Sequence, residues 1–154
     1  RIKSIAGHDE KEILSAFIEI IKKQPVNVML CAHNGKEFDF PYLCRRMLIH
    51  GLEIPACLQI AGKKPWEINH LDTMELWKFG DYKTFTSLSL MAHVLGIPSP
   101  KNDISGEQVR DVFYKEKNID RIVAYCEKDT VTVAQIILKL RNQDLLSASE
   151  VLSV

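Results

Sequence analysis

Apolar positions along the chain alternate between short continuous runs and helical stripes. Residues 1–6 alternate loosely between polar and apolar and read as a strand, followed at once by Gly7 and a capped helix. Over residues 9–23, Ile13, Leu14, Phe17, Ile18 and Ile21 make one helical face. Asp9 with Glu12 fits a capping box, and two lysines before Gln24-Pro25 mark the end. Val28-Met29-Leu30-Cys31 reads as a short buried strand. Asn34-Gly35 then supplies a turn, because Gly tolerates positive φ and Asn is next best. Beyond it Phe40, Leu43, Cys44, Met47 and Leu48 form a second stripe, with Pro41 in the first turn and Gly51 past the last. This strand–helix–strand–helix order predicts an α/β fold with a sheet at least partly parallel.

Residues 51–86 are broken by Pro55, Gly62, Pro65 and Gly80, with residues 68–71 as a short strand or extended edge. Asp72 follows it and reads as a helix N-cap, with a supporting role at a cleft as the second reading. Ser87 caps a helix carrying Leu88, Met91, Ala92 and Leu95, stopped by Gly96 and Pro98, with His93 off the stripe at the surface. A Pro-Lys-Asn-Asp loop leads to Ser105, which with Gln108 boxes the start of a helix bearing Val109, Val112 and Phe113 and ending at Asn118. Residues 120–141 form a long helix whose seam is Ile119, Val123, Cys126, Thr130, Val133, Ile137 and Leu140. The tail, residues 143–154, lacks a strong stop and reads as a frayed helix end.

Three places carry candidate chemistry. Asp39 stands at a helix N-terminus, either as an N-cap or as a metal-binding carboxylate at the mouth of a sheet. Tyr125 and Asp129, four apart, share one face, about 100° and 60° to the same side of Cys126, at the edge between core and solvent. Lys63, Lys64 and Trp66 put a basic pair beside an aromatic, suited to phosphate contact and base stacking. A Trp packed on its own loop fits the same residues. Lys78, Lys83 and Lys101 extend the positive charge, so the substrate groove is expected in this region.

Composition narrows the classes. At 154 residues the chain is expected to be one domain with a real core. Twenty basic residues balance twenty acidic ones, which argues against a high-affinity non-specific DNA binder. A nuclease is not excluded, since bound metal ions supply positive charge at the scissile phosphate. The four cysteines form no C-x-x-C, and Cys31, Cys44 and Cys126 at apolar positions read as reduced core thiols of a cytoplasmic protein. No apolar run approaches the length of a membrane span and no signal peptide is visible, so no membrane role is expected.

N-G-K-E-F-D-F-P-Y-L-C-R-R, residues 34–46, resembles the second exonuclease motif of the DEDD superfamily of 3′–5′ exonucleases. Y-C-E-K-D, residues 125–129, resembles the third motif of its Tyr-containing subclass. The intervening KKPWEINHLDTMELWKFGDYKTFTSL and LGIPSPKNDISGEQV are similar to bacterial predicted 3′–5′ exonucleases related to the family-B DNA polymerase proofreading domain. The resemblance covers nearly the whole chain. It implies a ribonuclease-H-like fold, a mixed sheet flanked by helices, with two Mg²⁺ or Mn²⁺ ions held by four acidic residues. It also implies release of 5′-mononucleotides from the 3′ end of single-stranded DNA, with RNA as the alternative substrate. By resemblance Asp39 and Asp129 are metal ligands, Tyr125 orients the attacking water, and Asn34 and Phe38 line the terminal-nucleotide pocket. The Asp-Thr at residues 72 and 73 recurs in the family without being a metal ligand. The first motif, Asp-x-Glu on a strand, has no counterpart: Asp9-Glu10 are adjacent and precede a helix. The expectation is therefore a chain that lacks the first strands and holds about two-thirds of the domain. A module that holds a nucleic-acid end without cutting it is the competing class.

Overall fold

Asp9 starts the first helix as its side chain dictates, its Oδ1 accepting from Glu12 N at 3.0 Å. The structure, a computed structural model, describes residues 1–81, 83–98 and 103–154. Two compact units form: Gly7–Tyr82, and Arg1–Ala6 with Lys83–Val154. In the first, α1 (Glu10–Lys22) buries Leu14 and Ile18. The strand β1 (Cys31–Ala32) precedes α2 (Asp39–Ile49), which buries Phe40 and Met47. Gly51 at φ 65° ends α2, and Leu52 N donates back to Met47 O at 2.8 Å. Leu14, Ile18, Phe40, Met47 and Leu58 make one core cluster. Glu10 staples α1 to α2, accepting from Arg46 Nε and bonding His50 Nε2, each at 2.7 Å.

The strand β2 (Leu71–Asp72) pairs with β1 in parallel, Cys31 opposite Leu71 and Ala32 opposite Asp72. Both expected strands are thus present but shorter and slightly later in the chain than the apolar runs suggested. The run over residues 28–30 only approaches the ladder, its last member accepting through Leu30 O from Leu71 N at 2.9 Å. Asp72 caps α3 (Thr73–Lys78), which closes on Phe79 in the left-handed region. Buried His70 ties the layers together: Leu30 N donates to its Nδ1 at 3.2 Å and its Nε2 donates to Cys57 O at 2.8 Å. Its ring meets Phe40 edge-on at 5.0 Å. Burial holds its pKa below the ordinary value, so the imidazole is neutral.

The second unit holds α4 (Leu88–Val94), α5 (Val109–Asp111) and α6 (Ile119–Leu140). Ser87 Oγ accepts from Leu90 N as expected, Met91 and Ala92 are fully buried, and His93 is exposed. Ser105 and Gln108 form their capping box, but the helix they open is a 3-10 turn, one α turn and a π turn over Val112–Glu116. The long helix α6 packs on α4, yet its deepest residues are Thr132, Gln135 and Ile136. The expected seam is out of phase, with Cys126 and Thr130 exposed. An apolar count misses this face because two of its three members are polar. Thr132 Oγ1 donates to Lys128 O, and Gln135 bonds both backbone groups of Leu146.

Three further expectations change. Residues 1–6 make a single parallel bridge, Ile2 to Ser153, rather than a strand, because Ile2 bonds Leu152 O and Val154 N. The tail is held by Gln135 and by a capping box at Ser147 and Glu150 rather than continuing as helix. Cys31 and Cys126 are exposed and so are not core thiols, whereas half-buried Cys44 packs against the core cluster; among the described residues no disulfide joins any of the four cysteines. The loop expected over residues 100–103 lies outside the described residues up to Asp103, whose carboxylate pairs with Arg121. Among the described residues the architecture is mixed α/β, mostly helical, with one small two-stranded parallel sheet. No described helix is long and apolar enough to cross a membrane.

Candidate functional site

The turn between β1 and α2 is built by two different devices at its two turn residues. Asn34, not Gly35, takes the left-handed conformation, at φ 61°. Gly35 is required for space: a Cβ there would collide with Ala32 Cβ and stand 3.3 Å from Phe40 Cζ and 3.5 Å from Asp39 Oδ2. The Asn34 Oδ1 is buried and has no hydrogen-bond partner among the described residues. Asn34 N donates to Asp72 Oδ1 at 2.9 Å and Lys36 N to Asp72 Oδ2 at 3.1 Å. Met74 N and Glu75 N also donate to Oδ1, at 3.1 and 3.3 Å. Asp72 is only 3% exposed, so its charge is sustained by these four N–H groups. Sequence reasoning found its capping role and missed its reach back to the turn. The only local signal was an acid at a strand end followed by threonine.

Asp39 is the first residue of α2 and not its cap; Phe38 holds that position, and its side chain makes no capping hydrogen bond. The capping reading of Asp39 therefore gives way. Partial desolvation holds its carboxyl above the ordinary carboxylate value, with the Asp72 charge adding to the rise and its own backbone N–H and His33 opposing it. Phe38 is 61% exposed and stacks on Tyr42, ring centres 6.1 Å apart. Trp66 is 76% exposed with Lys64 Nζ 5.2 Å from its ring centre, so its ring is covered by its neighbour but not buried in its loop. Within the same unit a cavity of about 930 Å³ brings Asn34 and Lys63 together with Lys36, Arg45, Asp72 and Lys78. Phe38, Asp39 and Trp66 are not among its walls. Of the remaining expected basic residues, Lys83 is exposed in the second unit and Lys101 lies outside the described residues.

Tyr125 and Asp129 belong to the second unit, one turn apart on α6 and in line with buried Thr132 and Ile136. Both are half-buried, as their expected position at the helix edge requires. Desolvation first, then hydrogen bonding to Asp129 and its charge, push the Tyr125 hydroxyl up to about 12. The phenol keeps its proton and donates it to the carboxylate. Gly106 lies beside that hydroxyl, where a Cβ would make only an ordinary contact at 3.8 Å. Among the described residues no group of three or more His, Cys, Asp or Glu is gathered as a metal would need.

Residues 1–148 match a family described as predicted 3′–5′ exonuclease related to the exonuclease domain of PolB. The chain belongs to this family. A DNA polymerase of Pyrococcus glycovorans is similar to it, 20% identical over 136 residues that cover 78% of the chain and 17% of the polymerase. The chain thus spans about a sixth of that relative's length. No solved structure matches it. The two stretches singled out by their residues, 34–46 and 125–129, both fall inside the family match.

Proposed function

We propose that this PolB-type exonuclease chain hydrolyses single-stranded DNA from its 3′ end, releasing 5′-mononucleotides, and that it is one exonuclease domain of ribonuclease-H-like fold. Family membership over residues 1–148 carries the proposal. Asp39 and Asp129 are its metal-holding carboxylates. Both offer hard oxygen donors of the kind Mg²⁺ and Mn²⁺ take, with no Cys or zinc spacing competing, and the Asp39 carboxylate is not spent on capping α2. Two such ions, when bound, supply an activated water and charge stabilisation at the departing 3′ oxygen.

The chain's own residues do the rest. Tyr125 holds its proton at Oη over the whole physiological range, so it acts as a hydrogen-bond donor that orients water and fixes Asp129, not as a base. Asn34 offers a buried acceptor with no partner among the described residues, suited to an N–H of the terminal base. Phe38 presents an exposed ring for stacking, while Lys63, Lys64 and Trp66 hold the strand behind the reacting end.

The test is a nuclease assay on 5′-labelled single-stranded DNA and RNA in Mn²⁺. Stepwise shortening from the 3′ end is expected, stronger on DNA, and absent in EDTA. Asp39→Ala and Asp129→Ala abolish it, and Tyr125→Phe slows turnover by roughly 10²-fold or more while leaving metal affinity nearly unchanged. Activity that survives Asp129→Ala removes the assignment. Cleavage of RNA in preference to DNA replaces the substrate, and binding without cleavage replaces the enzyme by a binding module.

A further inference from the structure

We infer that Asp72 and Thr73 clamp the turn over residues 33–36 and so position the Asp39 carboxylate for catalysis; the inference rests on the nuclease assignment above. Capping a helix of six residues needs one acceptor at the surface, and Ser or Asn serves as well as Asp. Asp72 is instead a carboxylate at 3% exposure, where an ion survives only if hydrogen bonds replace its hydration. Half of those bonds come from elsewhere: Asn34 N to Oδ1 and Lys36 N to Oδ2 span 38 and 36 residues. With four N–H groups on its two oxygens Asp72 has little capacity left for a cation, so it is a positioning residue and not a ligand.

Thr73 makes the second prong. It is fully buried, its Oγ1 donates to Ala32 O at 3.4 Å, and the same oxygen lies 2.8 Å from His33 Nδ1. Together the two residues grip the turn at 32, 33, 34 and 36. The grip passes directly to α2. Phe38 N donates to Asn34 O at 3.0 Å and Phe40 N to Gly35 O at 2.9 Å, so the helix takes its first hydrogen bonds from the clamped turn. A Cβ at Gly35 would make ordinary contact with Asp39 Oδ2, at 3.5 Å, so the carboxylate lies directly beside the clamped turn. Displacing the turn displaces Asp39, and an error of about 1 Å at a reacting centre costs on the order of 10²-fold in rate.

Substitutions separate cap from clamp. Asp72→Asn keeps Oδ1 as acceptor for α3 and for Asn34, but turns an amide toward Lys36 N–H. Thr73→Val keeps the shape and deletes both hydroxyl contacts, and Thr73→Ser restores the hydroxyl. In Asp72→Asn, amide hydrogen exchange at Lys36 and Asn34 is expected to speed up by about tenfold or more, with α4 and α6 unchanged. In Mn²⁺ the kcat for nucleotide release falls by about tenfold or more while KM for the oligonucleotide stays within about twofold. Thr73→Val moves both readouts the same way and Thr73→Ser returns them. Unchanged exchange at 34 and 36 overturns the clamp, and loosened exchange with unchanged kcat overturns its part in catalysis. Loosened exchange in a protein whose unsubstituted form cuts no DNA upholds the clamp and removes the nuclease assignment instead.

Discussion

At the scale of single residues, Asn34 carries two costs: a left-handed backbone and, among the described residues, a buried acceptor without a partner. An unsatisfied buried polar group costs about 1–3 kcal/mol, and left-handed backbone adds to it for any residue with a Cβ. Asn34→Gly removes both, against an entropic loss of about 0.5–1 kcal/mol. The variant is therefore expected to be more stable by about 1 kcal/mol in urea titration, and to hold single-stranded DNA less tightly in fluorescence anisotropy. A less stable variant would mean that the acceptor is satisfied in solution and that Asn34 serves the fold. Single residues were also where the sequence was most legible. The caps Asp9, Asp72 and Ser87 all accept from the helix starts predicted for them, because capping is a local bargain between a side chain and its own next turn. The second job of Asp72 was not legible, since nothing local announces a partner some 36 residues away.

At the scale of elements, the helices were legible through periodicity while the strands were blurred, because each pairs over only two residues. The phase of α6 was lost for a physical reason: Thr132 and Gln135 are buried by hydrogen bonding and not by hydrophobicity. Contacts between elements set the response to acid. His70 joins the segment leading into β1 to the Cys57 carbonyl as a neutral imidazole, and its depressed pKa means the folded state binds its proton less readily than the unfolded chain. Its contribution is present above the unfolded value of about 6.5 and is lost as pH falls below it, with the charges of Lys36 and Lys63 acting in the same direction. Glu10, between Arg46 and His50, is held down to about 2 from 4.5. The staple it makes is intact above about pH 4.5 and is lost between 4.5 and about 2, and salt weakens it because it is exposed. Unfolding midpoints measured from pH 7 to 2 are expected to fall in two stages. His70→Gln flattens the upper stage and Glu10→Gln the lower, each leaving the other in place. A single stage below pH 4.5 in the unsubstituted protein would show that His70 does not titrate with folding.

At the scale of the whole molecule, twenty cations cancel twenty anions, so no long-range field gathers nucleic acid. Grip on DNA has to be local, and the residues proposed for it are few. Lys63 lines the cavity in the first unit, Lys64 lies over exposed Trp66, and Lys36 is already paired with Glu75 at 2.7 Å. Two or three neutralised phosphates on a single strand give a slope of log affinity against log salt of about −1.4 to −2.1. Stacking on Phe38 and Trp66 adds affinity that salt does not touch. Anisotropy of a labelled oligonucleotide between 50 and 200 mM KCl, with EDTA present to prevent cleavage, is therefore expected to show roughly a seven- to twentyfold loss of affinity. Lys63→Ala and Lys64→Ala each flatten the slope by about 0.7, whereas Trp66→Ala weakens binding and leaves the slope unchanged. A slope steeper than about −4 would require an extended basic track that the lysines around residues 63–78 do not provide, and the strand would then run over a different face.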